Sequence, residues 1–330
     1  MPPIRAFISR NQFWRQLRDV QAEGIFRASN RLRLWSGILD TPPVITDPAT
    51  KSGPVEIHVL TYRRDYLSAM WALKSFYHYS GVSYPLVIHL QGPVTSRMNA
   101  RLREHFPTST LITQREADLS AEQWLIERGY IRLLTARRKS VMMMKLIDFV
   151  ITGRATHLLA IDSDVIFFRR PDELLVATQE PLGADLFMHD AASSYNLSEA
   201  QALNELGIDL APRVNCGLML FLRENQRLAR GEAYLAHPDV ARPNGLIEQT
   251  LHALYASEQH RVGYLADSYY VSPDETTAQL DELVCRHYAG PSRRLLTDEG
   301  IPHLIRTGFL NEIRLGDEHS PKSYVVSTQQ

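Results

Sequence analysis

The segment THLLAIDSDVIFFRRP carries the residues best suited to chemistry. An apolar run over 157–161 ends in Asp162-Ser163-Asp164, and a second apolar run over 165–168 follows. In extended chain, residues i and i+2 point to one side, so Asp162 and Asp164 can present two carboxylates to one ligand. Carboxylates that close repel unless a cation or hydrogen bonds neutralise them. A few hard oxygen donors suit Mg²⁺ or Mn²⁺, with the remaining positions left to water and a phosphate. The competing reading is a pair of acids capping a turn at a strand end.

An apolar run that stops abruptly at polar groups is what a buried strand delivers, and the flanking sequence reads as the sheet around it. Residues 55–60 (VEIHVL), 86–90 (LVIHL) and 110–113 are short β-branched or apolar runs. Between them, Asp65 can cap a helix over 66–79 with Leu67, Met70, Trp71 and Lys74 at helical spacing, and 96–105 form another helix. Strand, helix, strand, helix, strand predicts a parallel sheet. In such sheets ligands bind at the carboxyl ends of strands, which is where Asp162 and Asp164 stand. One long helix is predicted over 136–152, with Met142, Met143, Leu146, Ile147 and Val150 as its apolar face and Gly153 as its stop. Strand 158–161 then delivers the acids. Further strands are predicted at 186–189, 217–222, 262–265 and 284–288, and further helices at 226–236, 246–257 and 298–306. The fold class is α/β, doubly wound in the first half and mixed α/β in the second.

The 330 residues are 44% hydrophobic and 22% charged, enough for a sizeable core and too apolar for wholesale disorder. Lys and Arg number 36 against 37 Asp and Glu, which argues against a globally basic binder of long nucleic acids. Cys216 and Cys285 cannot make a disulfide framework or a four-cysteine zinc site, and they fit a reducing compartment. No apolar run reaches the roughly 18 residues of a spanning helix, and MPPIRAFISRNQFWRQLRDV has no signal-peptide core, so the expected location is cytoplasmic. Residues 1–35 hold seven arginines and two acids. Arg5, Arg10, Arg15 and Arg18, with Phe13 and Trp14, suit peripheral contact with an acidic membrane surface; packing on the chain's own domain is the alternative. The stretch TPPVITDPATKSGP that follows reads as a linker.

LLAIDSDVIFF resembles the DxD motif of GT-A glycosyltransferases, in particular glycosyltransferase family eight and its relatives, and the likeness runs through scattered motifs over about residues 55–290. It implies a GT-A fold: Rossmann-like, with a mostly parallel central sheet flanked by helices. It also implies a sugar-nucleotide diphosphate held by Mn²⁺ or Mg²⁺ on Asp162 and Asp164, with Ser163 between them counted among the donor-binding residues. LVCRHYAGPSRR is similar to a His-x-x-Gly segment that gives a histidine to the metal and a lysine to the phosphates. His287 and Gly290 match it, and Arg293 or Arg294 stands in for the lysine, a tolerable exchange because arginine binds phosphate bidentately. RVNCGLMLF resembles the Asn-x-Gly segment along the donor sugar, which implicates Asn215 and Gly217. Glycine there lets backbone approach a ligand, or marks a bulge in a core strand.

GLIEQTLHALY opens a helix with Glu248-Gln249, where the family has an acid-Gln pair near the anomeric carbon or the acceptor; an ordinary polar first turn would look the same. Thr61 and Tyr62 stand where similar enzymes bind the nucleotide base. In ARRKSVMMMK, Arg138 and Lys145 lie about two turns apart on one predicted helix face and match donor-binding positions. Asp190, after LFMH, is a further candidate near the sugar, or a turn residue. The implied activity is metal-dependent transfer of a sugar from a nucleotide sugar, with UDP the family's usual nucleotide, to an unidentified acceptor, with retention; Glu248, Gln249 and Asp190 are the catalytic candidates. A sugar-nucleotidyltransferase would show a Gly-rich loop after the first strand, whereas this loop is TYRRDY. A non-catalytic sugar-nucleotide binding module is weakened by the intact Asp162, Asp164 and His287. The expected organisation is a basic arm and linker at 1–54, a catalytic domain at 55–292 and an extension at 293–330.

Overall fold

The structure, a computed structural model, describes residues 33–47, 54–179, 183–274 and 279–315. The arginines and aromatics of the expected membrane-facing arm lie outside the described residues. Among those described, no helix is long and apolar enough to cross a membrane.

Seven strands form the central sheet in the order β3-β2-β1-β4-β7-β6-β8. They are β1 (Val55–Tyr62), β2 (Leu86–Gln91), β3 (Thr110–Thr113), β4 (His157–Ile161), β6 (Asp185–His189), β7 (Val214–Leu222) and β8 (Val262–Tyr264). Three more, β5 (Val165–Phe167), β9 (Tyr269–Val271) and β10 (Cys285–His287), form a second sheet in the order β5-β10-β9. In the central sheet β1 to β4 are parallel, β8 is parallel to β6, and β7 runs antiparallel to both β4 and β6. The chain is thus α/β with a mostly parallel central sheet, as the sequence led us to expect.

The helices of six residues or more that lie wholly within 54–315 are α1 (Tyr66–Ser80), α2 (Ser96–His105), α3 (Gln114–Glu127), α4 (Ile131–Lys139), α5 (Met143–Thr152), α6 (Asp172–Ala177), α7 (Asn225–Tyr234), α8 (Ile247–Glu258), α9 (Ile301–Arg306) and α10 (Phe309–Leu315). They cover both faces of the sheet. On β4 the alternation of side chains splits the strand between two cores: Leu159 and Ile161 pack in the layer of α1 and α2, Leu158 and Ala160 in the layer of α3 to α5 and α8. Burial on both faces is why these strands are continuous apolar runs rather than alternating ones. Trp71 of α1 stacks on Phe309 of α10 at 5.9 Å, which ties the C-terminal helices into the first core.

Two local expectations change. The helix predicted over 136–152 is two helices, broken at Ser140, whose backbone is extended (φ −130°, ψ 122°). The break has a cause in Arg137. This buried side chain reaches Asp148 through Nε (2.6 Å) and Nη2 (2.9 Å), and Asp118 through Nη1 (2.7 Å), which requires α4 to fold back against α5 and α3. Asp65 stands at the N-terminus of α1 but makes no side-chain cap; its carboxylate is taken by Arg293. The apolar run 165–167 after the acids is a strand of the second sheet.

Candidate active site

The two sheets meet at the acids. The chain leaves the central sheet at Ile161, turns through Asp162-Ser163-Asp164, and enters the second sheet at Val165. In that sheet Val165 pairs with His287 across antiparallel β5 and β10. The imidazole is thereby carried to the carboxylates. His287 Nε2 lies 3.4 Å from Asp164 Oδ1 and 3.7 Å from Asp162 Oδ2. Ligand atoms of the three residues all fall within 4.8 Å of one another. Backbone bonds hold both acids as well: the Asp162 N–H donates to Gly217 O (2.7 Å), and the Tyr288 N–H donates to Asp164 O (2.9 Å).

The donor set fits a divalent cation. Two carboxylates and one imidazole supply hard oxygens and one nitrogen, with positions left over for water and a phosphate. The electrostatics agree. Burial alone would raise the Asp164 pKa, but His287 and Arg293 outweigh it and hold the carboxyl below its ordinary value. Burial alone would lower the His287 pKa, and Asp164 and Asp162 overcome it and raise it. Negative charge is therefore concentrated where a cation would sit.

The acids open onto a cleft of about 720 Å³. Two cations flank them. Lys145, buried on α5, places Nζ 2.8 Å from Asp162 Oδ1 and 3.5 Å from Glu248 Oε1, and donates to Cys216 O at 3.0 Å. Burial would lower its pKa, but Asp162 and Glu248 more than compensate and the ammonium stays charged. Arg293 pairs with Asp65, donates to Ser163 Oγ (3.3 Å) and lies 3.7 Å from Asp164 Oδ2. Glu248 is buried beneath Lys145, and burial pushes its carboxyl up to about 7 against the pull of that lysine.

The cleft wall gathers most of the expected residues. Tyr62, Lys145, Ser163, Asp190, Asn215, Gly217, Glu248, Gln249, Gly290 and Arg293 line it together with Asp162, Asp164 and His287. Gln249 donates to Ser194 O at 2.9 Å and accepts from the Cys216 N–H at 3.4 Å. Asp190 accepts from Asn215 Nδ2 (2.8 Å) and from the Ala191 N–H (2.7 Å). The β6–β7 pairing shifts register between Phe187 and Met188, opposite the Asn-x-Gly segment, so that segment does contain a bulge. A Cβ on Gly217 would fall on the His287 ring.

Three expected residues stand elsewhere. Arg138 is 58% exposed on α4 and pairs with Glu122 (2.8 Å), because the break at Ser140 turns it away from Lys145. Thr61 is buried in β1 and does not line the cleft. Arg294 is exposed beside the cleft wall rather than in it. Several cleft residues escaped the sequence reading, Gln91 and Ser194 among them, and also Asp65, which looked like a helix cap. Its partner Arg293 is remote in the chain, and no local pattern signals the pair.

No protein-family model and no curated protein matches the chain. Solved structures do. The mouse xyloside xylosyltransferase 1 apo form is 16% identical with a TM-score of 0.44, covering 65% of this chain and 86% of that one. The galactosyltransferase LgtC with donor and acceptor sugar analogues is 15% identical with a TM-score of 0.48, covering 82% and 98%. Core-mannan synthase A from Aspergillus fumigatus in its Mn/GDP form is 12% identical with a TM-score of 0.44, covering 78% and 86%.

Proposed function

We propose that the chain is a metal-dependent glycosyltransferase of the GT-A type, related to family eight, that moves a sugar from a nucleotide sugar, most simply a UDP-sugar, to a hydroxyl acceptor. The observation that carries this reading is the meeting of Asp162, Asp164 and His287 at the carboxyl end of β4, inside a cleft flanked by Lys145 and Arg293. Asp162, Asp164 and His287 would hold the ion, which when bound supplies a Lewis-acid partner for the oxygens of a diphosphate leaving group.

The chain's own groups fit the same chemistry. Departure of a nucleoside diphosphate builds negative charge, and a fixed guanidinium and ammonium stabilise such charge without reorganising. Arg293 is the exposed clamp, reachable by a phosphate; Lys145 is the buried one and is ion-paired with Asp162. Tyr62, on the cleft wall beside Asp65, offers a ring to stack on a base. Retention is what the resemblance to family eight implies. Asp190 is tied to Asn215 and Ala191, Glu248 lies under Lys145, and Asp65 holds Arg293. A retaining transfer needs no carboxylate base to deprotonate the acceptor. For the basic segment 1–35 the reading is peripheral contact with an acidic membrane surface, with packing on the chain's own domain as the alternative.

The test is thermal unfolding of the wild type and of Asp164→Ala with a panel of UDP- and GDP-sugars and Mn²⁺, followed by donor hydrolysis with and without Mn²⁺. We expect one nucleotide sugar to stabilise the wild type more than the variant, and Mn²⁺-dependent hydrolysis by the wild type alone. Stabilisation equal in both proteins would sink the site assignment. Binding without turnover would make the chain a binding module.

A further inference from the structure

We infer that Asn215 and Asp190 are positioning residues, a carboxylate–amide relay that fixes His287 in the tautomer whose Nε2 lone pair faces Asp162 and Asp164. This rests on the metal-site reading above and deepens it: residues expected along the donor sugar also act through the histidine.

The argument runs through groups that can only donate. The Gly217 backbone N–H donates to Asn215 Oδ1 at 3.0 Å. A backbone N–H cannot accept, so the atom facing it is the amide oxygen and not the amide nitrogen. The far side of the amide agrees, since Nδ2 donates to the Asp190 carboxylate at 2.8 Å. Two independent partners thus settle an orientation that amides otherwise leave ambiguous. His287 Nδ1 lies 2.8 Å from that same Asn215 oxygen. An oxygen without a hydrogen can only accept, so Nδ1 carries the proton. In the neutral ring Nε2 is then bare, and Nε2 is the atom 3.4 Å and 3.7 Å from the two carboxylates.

Packing locks the ring that the amide orients. Asn215 is 4% exposed and His287 5%. The imidazole lies against the backbone of Gly217, where any Cβ would collide with it. Asp190 is itself held by the Ala191 N–H at 2.7 Å, so the relay starts from a fixed point. Metal-binding histidines usually donate their second N–H to a carboxylate or carbonyl, which sets tautomer and ring orientation. Here an amide is inserted between carboxylate and ring, and it gathers the Gly217 N–H as well.

The relay makes a specific rescue possible. In Asn215→Leu, Nδ1–H loses its acceptor. In Asn215→Asp, the new carboxylate still accepts from Nδ1–H and Gly217, but it faces the Asp190 carboxylate. Adding Asp190→Asn restores every donor and acceptor, because the new amide can donate across to position 215 while its oxygen keeps the Ala191 N–H.

The experiment uses the full chain labelled with ¹⁵N-histidine, metal-free, above the pH at which His287 titrates, with His287→Gln to identify the signal. We expect Nδ1 protonated and Nε2 bare in the wild type, and loss of that pattern in Asn215→Leu. Mn²⁺ alone, followed through the electron paramagnetic resonance of the free ion, should bind Asn215→Leu and Asn215→Asp roughly ten- to a hundredfold more weakly. The double exchange should recover both the ring signature and most of the affinity. A wild-type ring protonated at Nε2 overturns the proposal, as does wild-type Mn²⁺ affinity in a folded Asn215→Leu. If that variant does not fold, the wild-type ring signal and the double exchange still decide. A ring in the expected tautomer that binds Mn²⁺, in a protein that turns over no nucleotide sugar, would refute the glycosyltransferase reading and leave this one standing.

Discussion

Val165 and His287 stand in register across the antiparallel pair β5–β10. Since Val165 directly follows Asp164, this pairing sets an imidazole from the far end of the chain against the carboxylates. The site is therefore assembled by backbone ladders on both sides: β4 presents the acids, β10 the histidine, and β7 the Asn215-x-Gly217 segment between them. Groups held on strands keep their geometry better than groups held on loops.

Gly217 tests that assembly. A Cβ there would occupy the space of the His287 ring, so Gly217→Ala must displace the imidazole or the strand. Overpacking of this kind costs about 1–3 kcal/mol. The expected result is a lower urea midpoint together with weakened Mn²⁺ binding. An alanine variant that binds Mn²⁺ like the wild type would mean the ring has room to move.

Much of this was legible in the sequence, for identifiable reasons. The strands of the parallel half announce themselves because burial on both faces makes them apolar runs, and the helix ending at Gly81 and the one over 96–105 are bounded by clear stop and start signals. Asp162, Asp164 and His287 were readable because a strand end and a short motif mark each. What escaped were consequences of partners remote in the chain. Arg137 looks like its neighbour Arg138, yet its burial on Asp148 and Asp118 breaks the predicted helix and sends Arg138 to the surface. Asp65 sits where a cap belongs, and Arg293 takes its carboxylate instead. Asn215 and Gly217 were found as a pair, but their tie to His287 follows only from the register of β10 with β5.

That contrast between two adjacent arginines makes a second prediction. Breaking a buried pair by removing one partner strands a charge and costs about 3–5 kcal/mol, whereas an exposed pair contributes about 0–1 kcal/mol. Arg137→Leu should unfold at much lower urea than the wild type. Arg138→Ala should be nearly neutral and should leave nucleotide-sugar stabilisation unchanged. If Arg138→Ala abolished that stabilisation, the residue would reach the donor after all.

Glu248 should give the stability a pH dependence of unusual sign for an acid. One ammonium, Lys145, faces two carboxylates; it lies nearer Asp162 (2.8 Å) than Glu248 (3.5 Å). Glu248 Oε1 has no hydrogen-bond partner, and burial pushes the carboxyl up to about 7 from 4.5. Between those values the native state holds a proton that the unfolded chain has released. The stabilisation from this group is complete below about pH 4.5 and is lost as pH rises through about 7. The difference in stability between the wild type and Glu248→Gln should therefore fall across that window in urea titrations. Parallel curves would show that Glu248 is already ionised in the folded protein.

Lys74 should do the reverse, at higher pH and far from the cleft. It is fully buried on α1, where its ammonium donates to Thr41 Oγ1 (2.8 Å) and to the Pro42 carbonyl, fastening the segment 33–47 to the first core. Burial brings its pKa down to about 7 from 10.5, with only Glu104 opposing. Between those values the unfolded chain binds the proton and the native state has lost it, so stability rises with pH across the window. Lys74→Met removes both the titration and the two hydrogen bonds. The wild type should therefore gain on the variant as pH climbs from about 7 towards about 10. A difference that stays flat over that range would mean the buried ammonium keeps its proton, and that Thr41 and Pro42 solvate it as well as water does.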